Sequence, residues 1–402
     1  MGSPDRRHST MPRTAVRRVV LVALGLGCAR AEPSLPGPTC GPVPCHWDEL
    51  VATVDSAVKA GAAPGAVVAV SVKGARFYHA AGRLGIDQPR PVAPNTVYDL
   101  ASLTKVIALT TLTMMAVDED RISLDDPVTK YLPGFVGAHK EGVTIRHLLT
   151  HSSGLPAHRP LWQEAPNPDS AVALVLATAL DTLPGTRMVY SDLGAITLTR
   201  IIEGVFGAPV DRLFERRIAR PLGLRDTRFR PPSSWLGRIA PTERDPWRGR
   251  VVQGEVHDEN AAFLGGVSGH AGLFGTAEDL VTFGEWLLAE REGAAGAHEH
   301  RPRIGTAIVR EFTRRQEVVL GSSRALGWDT PTTGSSAGNR LSPMSFGHTG
   351  FTGTSIWIDP SRELVVVLLS NRVNPTRDNP RLAPLRGLVA DRVVSALEQP
   401  RR

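Results

Sequence analysis

Strand-forming sequence is confined to the two ends of the folded part of this 402-residue chain. Near the start, "GAVVAVSVKGARFYHAAG" (residues 65–82) contains two β-rich runs separated by Lys73-Gly74, which predicts a hairpin. Near the end, a turn at "PSRE" separates "GTSIWID" from "LVVVLLSN". The stretch between these ends has mostly helical periodicity. We therefore predict an α/β fold of the α+β type, with one antiparallel sheet flanked by helices and an inserted all-helical lobe at about residues 106–260.

Further helices are predicted at both ends of this domain. "HWDELVATVDSAVKAG" places Leu50, Val51, Val54 and Val58 on one face, and a last helix is expected near residues 382–397. The segment "VIALTTLTMMAV" is apolar on nearly all sides, so this helix should be buried between the sheet and the lobe. A site is expected near its start.

The first 31 residues have the form of an export signal. The charged "RTAVRR" precedes the apolar "VVLVALGLG", and small residues follow in "CARA". Two cleavage patterns compete. "LGLGC" resembles a lipoprotein signal with a lipid anchor at Cys28, whereas Ala29-Arg30-Ala31 fits simple secretion with a mature start at Glu32. Either one predicts an exported protein of the cell envelope or periplasm, touching the membrane only through such an anchor.

Residues 32–46 are rich in Pro and Gly and read as a linker, which leaves residues 47–398 as the folded domain. Cys40 and Cys45 in the linker suit a disulfide in an oxidising compartment, or two unpaired thiols. The domain itself contains no cysteine, which excludes cysteine catalysis there.

The net charge of +6 belongs mostly to the leader, where six arginines face one aspartate. The remainder is close to neutral, so we predict no nucleic-acid partner.

A serine and a lysine stand three residues apart at the start of the buried helix. Ser102 and Lys105, in "SLTK", lie on one helix face, about 5–6 Å apart at Cβ. The helix N-terminus favours negative charge on Ser102, and burial is expected to lower the pKa of Lys105. This pair suits a nucleophile and its activator, although the four-residue pattern alone is weak evidence.

Two later segments strengthen this interpretation. "PGTRMVYSDLGAITL" places Tyr190, Ser191 and Asp192 at a helix start, and "FGHTGFTGTSIWID" places His348-Thr349-Gly350 before a strand. With these motifs in this order, the chain resembles the serine β-lactamase and penicillin-binding-protein superfamily over roughly residues 48–397. The Tyr190 motif is more similar to class C β-lactamases, D-alanyl-D-alanine carboxypeptidases and related esterases.

The resemblance implies a role for each of these residues. Ser102 would be acylated, while Lys105 and Tyr190 would share the acid and base work in an order that the sequence leaves open. The backbone amides of Ser102 and Phe351 would form the oxyanion hole. The substrate-binding residues would be Asp192, His348, Thr349 and Gly350, with Gly350 allowing the substrate to approach the strand edge.

Two residues depart from the commonest family pattern. Asp192 stands where Asn is usual, so it cannot donate to a substrate carbonyl when ionised and would instead attract Lys105. His348 stands where Lys is usual, so a positive charge there should depend on pH. Both changes are expected to make the cleft less favourable for anionic substrates and to favour small neutral esters over β-lactams.

Other candidates carry less weight. His147 and His151 have i, i+4 spacing but no accompanying Glu, and are interpreted as helix-end residues. The glycine-rich "GGVSGHAGLFG" is interpreted as a cleft wall, in which His270 could touch substrate, and Asn371 and Arg377 are weaker candidates for binding a carboxylate. No metal and no cofactor are expected.

The sequence therefore predicts a serine hydrolase that acts through an acyl-enzyme. Its substrate would be a small molecule or a peptidoglycan peptide: a D-Ala peptide, a β-lactam or a small ester. The alternative is a catalytically idle envelope protein that keeps the fold for binding.

Overall fold

The computed structural model of the protein describes Gly2, residues 46–294 and residues 301–398. The expected export signal, the anchor at Cys28, the Cys40–Cys45 pair and nearly all of the linker lie outside these residues. The domain predicted at residues 47–398 belongs to one compact unit.

The elements are numbered in chain order. The strands are β1 Gly65–Val72, β2 Ala75–Gly85, β3 Gln88–Pro91, β4 Tyr98–Asp99, β5 Arg228–Phe229, β6 Arg244–Asp245, β7 Arg250–Val251, β8 Leu273–Gly275, β9 Phe346–Gly350, β10 Thr354–Asp359 and β11 Leu364–Ser370. The α-helices are α1 Asp48–Lys59, α2 Thr111–Asp118, α3 Ile145–Leu149, α4 Leu161–Glu164, α5 Pro168–Ala177, α6 Asp192–Phe206, α7 Val210–Phe214, α8 Arg220–Leu222, α9 Glu259–Phe263, α10 Ala277–Glu292, α11 Thr306–Thr313 and α12 Ala383–Glu398. Shorter helical segments are the π-helices Lys105–Thr110 and Glu215–Ala219 and the 3₁₀ segments Val128–Lys130, Lys140–Gly142, Ser233–Arg238 and Pro360–Arg362.

The main sheet joins the two ends of the domain, as the sequence predicts. Its strand order is β3-β2-β1-β11-β10-β9, and all neighbouring strands are antiparallel. The β1–β2 hairpin turns at Lys73 and Gly74, both with positive φ. At the centre of the sheet, Val68 of β1 lies opposite Leu368 of β11.

Alternate residues of β1 enter two different hydrophobic cores. Val68 and Val70 pack with residues of α1 and α12 on one face of the sheet. Val67 and Ala69 belong to the larger core on the other face, which includes α10 and the inserted lobe. This alternation follows from the two-residue side-chain period of a strand.

The inserted lobe is not wholly helical, which corrects the sequence prediction. Helices dominate as far as α8, but short strands follow, with β5 joining β4 and β8 in a small sheet and β6 pairing with β7. Residues 226–256 contain four prolines and several glycines and lack the regular apolar repeat that a helix would bury.

The helix after Ser102 is buried throughout but irregular. It opens as a π-helix at Lys105–Thr110 and continues as α2, and all residues of the π segment are buried. The regular helix expected from the sequence is therefore widened by one residue per turn here, a feature found often at functional sites.

In the part of the chain that the structure describes, no single helix is long and apolar enough to cross a membrane, although the bent pair Asp192–Phe206 and Val210–Leu222 passes the length and composition test together.

The loop before Ser102 is tied to the edge of the main sheet. The Thr352 hydroxyl donates to the Asp99 carbonyl at 2.7 Å, and the Thr354 hydroxyl donates to the Leu100 carbonyl at 3.0 Å. These bonds hold Ser102 beside the end of β9, where the sheet and the lobe meet.

Candidate active site

Lys105 contacts Ser102, the backbone of His270 and the carboxylate of Asp192. The Lys105 ammonium donates to Ser102 Oγ at 2.9 Å and to the His270 carbonyl at 2.9 Å, and it forms an ion pair with Asp192 Oδ1 at 2.7 Å. The lysine is only 3% exposed. The ammonium has three protons, and three oxygen atoms surround it. The attraction between Asp192 and Lys105 expected from the sequence is therefore present.

The protonation of Lys105 differs from the sequence prediction. Burial opposes the charged form, but the negative charge of Asp192, together with Tyr190, outweighs it, so the pKa of Lys105 is raised above its ordinary value. The expectation of a lowered pKa considered burial alone. Lys105 is an ammonium group at neutral pH.

Tyr190 lies above this pair, directly before α6. Its ring centroid is 4.9 Å from Lys105 Nζ, 4.4 Å from the His151 ring and 5.9 Å from the His348 ring. Among the described residues, no group forms a hydrogen bond with the buried Tyr190 hydroxyl. Ser191 fixes the start of α6, since its Oγ accepts from the Gly194 amide at 3.1 Å.

His151 holds the backbone on both sides of Tyr190, a role that sequence reasoning missed. Its carbonyl accepts from the Val189 amide at 2.8 Å, and its Nδ1 accepts from the Ser191 amide at 3.1 Å. Burial, together with the charges of Arg324 and Lys105, keeps the pKa of His151 well below 6.5, so the ring is neutral. His147, as expected, lies at a helix end, where it caps α3 with Thr144.

His348 is also neutral, which corrects the expectation of a pH-dependent positive charge. Burial, followed by the positive charges of Arg324 and Lys105, keeps the pKa of His348 well below 6.5. Its Nδ1 donates to the Thr349 carbonyl at 2.8 Å. Its Nε2 is buried and makes no hydrogen bond within the described residues.

Gly350 is required for close packing of the chain, while its expected role in the approach of substrate stays a prediction. A Cβ at this position would lie 2.1 Å from Thr354 Oγ1 and 2.4 Å from the Leu100 carbonyl oxygen. Only glycine therefore lets the end of β9 approach the loop that precedes Ser102.

Phe351 follows at the rim of the cleft with half of its surface exposed. Its ring lies between the His257 ring, at 5.7 Å, and the Arg372 guanidinium, at 4.7 Å. Among the described residues, no acceptor in a turn or loop is bonded to the backbone N–H of Phe351 or to that of Ser102. The role of these two amides as the oxyanion hole stays a prediction.

These residues surround a cleft of about 350 Å³. Its lining consists of catalytic candidates, the end of β9 and four further charged residues: Ser102, Tyr190, Arg324, Asp329, His348, Thr349, Gly350, Phe351, Arg372 and Arg386. Three arginines face one aspartate, so the cleft is positively charged. The expectation that Asp192 and His348 make the cleft less favourable for anions than Asn and Lys would considered only those two residues, and it stays a prediction.

The remaining sequence candidates have structural roles. The His270 ring is 1% exposed and is held between Asp258 at 2.9 Å and Ser268 at 2.7 Å, away from the cleft. The Asn371 amide donates to two buried carbonyl groups, and Arg377 pairs with Glu243 and Glu259. Within the described residues, no group of three or more His, Cys, Asp or Glu side chains is arranged to hold a metal ion.

None of the three sequence motifs contains the three arginines of the cleft. Arg324 lies 24 positions before His348 in a segment without a recognisable motif, and Arg372 and Arg386 lie after the last strand. Only the folded chain brings them to the cleft.

Comparisons with known proteins identify the family of this chain. The family model described as Beta-lactamase matches residues 50–391. A protein of Escherichia coli (strain K12) named "Putative D-alanyl-D-alanine carboxypeptidase" is 33% identical over 371 residues, which cover 79% of this chain and 81% of that protein.

The structure of the class C β-lactamase from Rhodobacter sphaeroides is similar with a TM-score of 0.65 and 24% identity, covering 86% of this chain and 98% of the other. EstCE1, a hydrolase with promiscuous acyltransferase activity, has a TM-score of 0.66 and 21% identity, with 85% and 97% covered. The chain therefore belongs to the β-lactamase family, within the serine β-lactamase and penicillin-binding-protein superfamily.

Proposed function

We propose that this protein is an exported serine hydrolase that forms an acyl-enzyme on Ser102. The observation that carries the proposal is the contact of Lys105 with both Ser102 Oγ and Asp192, directly beneath Tyr190. A serine hydroxyl held by an ammonium at the mouth of a cationic cleft is suited to attack a carbonyl group.

Tyr190 is the proposed proton acceptor. An ammonium has no lone pair, so Lys105 cannot take the Ser102 proton while Asp192 keeps it charged. The phenolic oxygen of Tyr190, which has no hydrogen-bond partner among the described residues, accepts the Ser102 proton as its own O–H donates to the leaving group.

In acylation, a bond forms between Ser102 Oγ and the substrate carbonyl carbon, and the bond from that carbon to the leaving group breaks. The proton of Ser102 passes to Tyr190 and then to the leaving group. The amides of Ser102 and Phe351 stabilise the negative oxygen that forms between these steps. In deacylation, water attacks the acyl carbon, Tyr190 takes a proton from this water, and the bond from that carbon to Ser102 Oγ breaks as Tyr190 gives a proton to Oγ.

The proposed substrates are D-Ala peptides, β-lactams and small esters. The name of the Escherichia coli relative supports the first, the class C β-lactamase the second, and EstCE1 the third. The alternative is a catalytically idle binding protein. The Lys105–Asp192 ion pair supports this alternative, because a lysine that is held in its charged form cannot act as a base.

Labelling of the active serine tests the proposal. A fluorophosphonate or fluorescent penicillin should label the protein covalently, and Ser102→Ala should abolish labelling and lower turnover by about a thousandfold. Ser361→Ala is the matched control, because Ser361 is an exposed serine in the turn between β10 and β11.

Labelling that persists in Ser102→Ala would overturn the assignment of the nucleophile. Failure of both probes to label the native protein would favour the binding protein.

A further inference from the structure

We propose that Asp99 is a positioning residue for the proposed hydrolysis, because its side chain and carbonyl hold together the chain segments that carry Ser102 and Phe351. This inference rests on the proposed function and goes beyond it, since Asp99 lies outside the three sequence motifs. Asp99 does not line the cleft, so it acts through the backbone rather than on the substrate.

The carboxyl group of Asp99 binds two backbone amides from different parts of the chain. Oδ1 accepts from the Ala101 amide at 2.8 Å, two residues further on, and Oδ2 accepts from the His257 amide at 2.6 Å. Asp99 is 1% exposed, and no lysine or arginine among the described residues pairs with it. Burial of a carboxyl group is costly unless hydrogen bonds satisfy it, and these two bonds meet that requirement.

The first bond stabilises a strained turn directly before the nucleophile. Ala101 has a φ of 47°, in the left-handed region that residues with a Cβ rarely adopt. An aspartate side chain that accepts from the amide two residues further on stabilises such a turn. The chain turns here from β4 toward the buried helix, and the Ala101 carbonyl already accepts from the Thr104 amide at 3.0 Å. The backbone of Ser102 is therefore placed by the conformation of Ala101.

The second bond fixes a residue that packs against Phe351. The His257 ring stacks on the Phe351 ring, with centroids 5.7 Å apart and planes inclined by 21°. His257 Nε2 also lies 2.8 Å from Glu243 Oε2, so both its backbone and its ring are held. In addition, the Asp99 carbonyl accepts from the hydroxyl of Thr352, the residue after Phe351, at 2.7 Å. Asp99 therefore binds residues that hold Phe351 both at its ring and along its backbone.

Asp99 thus joins the two backbone amides that are predicted to form the oxyanion hole. The Ser102 amide follows the turn at Ala101, and the Phe351 amide precedes Thr352. Both donors must point at the place where the negative oxygen develops, so the distance between them affects the transition state more than the bound substrate. Loss of Asp99 should therefore lower kcat and leave KM almost unchanged.

Turnover of p-nitrophenyl acetate measures this effect. Asp99→Asn keeps one acceptor oxygen but presents an NH₂ group to one of the two backbone N–H groups, so kcat should fall by about tenfold. Asp99→Ala lacks both acceptors, and the displaced backbone should lower kcat by about 100-fold. In both variants KM should change by less than about twofold.

A transition-state analogue gives a second measurement. Phenylboronic acid forms a bond from boron to Ser102 Oγ as Ser102 loses its proton, and the resulting tetrahedral anion places an oxygen where the oxyanion develops. The inhibition constant should rise in each Asp99 variant by the same factor by which kcat/KM falls. A general loss of stability would not weaken the analogue while sparing KM.

Asp359→Asn is the matched control. Asp359 is fully buried at the far end of β10, and its two carboxylate oxygens also accept from backbone amides, those of Ser361, two residues further on, and of Ser342. This variant should lower the thermal stability but keep the native kcat and the native affinity for the boronic acid. Equal losses of kcat in Asp359→Asn and Asp99→Asn would overturn the positioning role.

Thr352→Val tests the inference even if the Asp99 variants do not fold. It keeps the shape of the side chain and removes only the hydroxyl that donates to the Asp99 carbonyl, so kcat should fall by about three- to tenfold at unchanged KM. A native kcat in Thr352→Val, or in a folded Asp99 variant, would overturn the inference while the proposed function stands. A native protein that neither turns over the ester nor binds the boronic acid would overturn the proposed function and this inference with it.

Discussion

Asp192 decides the charge state of Lys105. We predict that Asp192→Asn lowers the pKa of Lys105, because burial then acts without the opposing carboxylate. In the native enzyme the raised pKa keeps Lys105 charged throughout the neutral and mildly alkaline range. In the variant, Lys105 should lose its proton at lower pH, so the alkaline fall in kcat/KM for a neutral ester should begin at lower pH. The profile of kcat/KM from about pH 6 to about pH 10 measures this shift.

Asp169→Asn is the control for this profile. Like Asp192, Asp169 lies in the first turn of a helix, α5, but it is exposed. Its replacement should leave the profile unchanged. If the alkaline limb of Asp192→Asn coincides with that of the native enzyme, Lys105 is not controlled by this carboxylate.

The buried His348 should make stability depend on pH. Its pKa lies well below 6.5 in the folded protein, so the unfolded chain binds more protons below that pH, and acidification favours unfolding. We expect the stability advantage of the native protein over His348→Gln to decrease by up to about 1.4 kcal/mol per pH unit as the pH falls below about 6.5. Urea unfolding at several pH values measures this slope.

Comparing the native protein with His348→Gln removes the contribution of other titratable groups. One of these is Asp279, whose pKa is raised to about 6 by burial, so that acidification favours the folded state there. His139→Asn is the control. His139 is exposed, and asparagine tolerates its φ of 65°, so this variant should show the same change of stability with pH as the native protein. A constant difference between native protein and His348→Gln would mean that His348 titrates normally.

At this scale, the sequence anticipated contacts that are local or that follow a known motif. The i, i+3 spacing of Ser102 and Lys105 predicts their contact, and the Asp in place of Asn predicts the ion pair with Lys105. The neutral state of His348 and the position of Arg324 depend on burial and on a β-bridge. Neither can be derived from spacing along the chain.

Among the elements, β9 is the one whose position the site depends on most. We predict that Gly350→Ala destabilises the protein by about 1–3 kcal/mol, because the new methyl group must displace Thr354 or the Leu100 carbonyl. It should also reduce activity strongly, since the strand end moves away from Ser102. Thermal unfolding and ester turnover measure the two effects.

Gly204→Ala is the matched control. A Cβ on Gly204, within α6, meets no atom within 4 Å. This change should stabilise the helix by about 0.5–1 kcal/mol and leave activity intact. Normal activity in Gly350→Ala would show that β9 tolerates displacement.

The elements themselves were largely predictable where one pattern dominated. The β-rich runs at β1, β2 and β11 predict these strands, and Lys73-Gly74 predicts the β1–β2 hairpin. The π-helix after Ser102 and the short strands of residues 226–256 were missed. Their form depends on packing against distant parts of the chain, which outweighs weak local preferences.

For the whole molecule, export remains a prediction. We expect the mature protein to begin at a lipid-modified Cys28 and to be found in the cell envelope, and mass spectrometry of the mature N-terminus measures this. One acyl chain binds a membrane only marginally, so stable anchoring requires more than one chain. A free N-terminus at Glu32 would indicate simple secretion.

The pairing of β1 with β11 also has a consequence for the order in which the protein folds. Ala66 lies opposite Ser370, so about three hundred residues must be closed into a loop before the central strands meet. Ser102 and Lys105 are synthesised before His348, Phe351 and β11, which follow more than two hundred residues later. A chain released before β11 would carry the serine and its lysine without the strand edge that completes the cleft. The candidate active site is therefore completed only after β11 has been made, so the serine and its lysine exist in the growing chain well before the cleft that surrounds them.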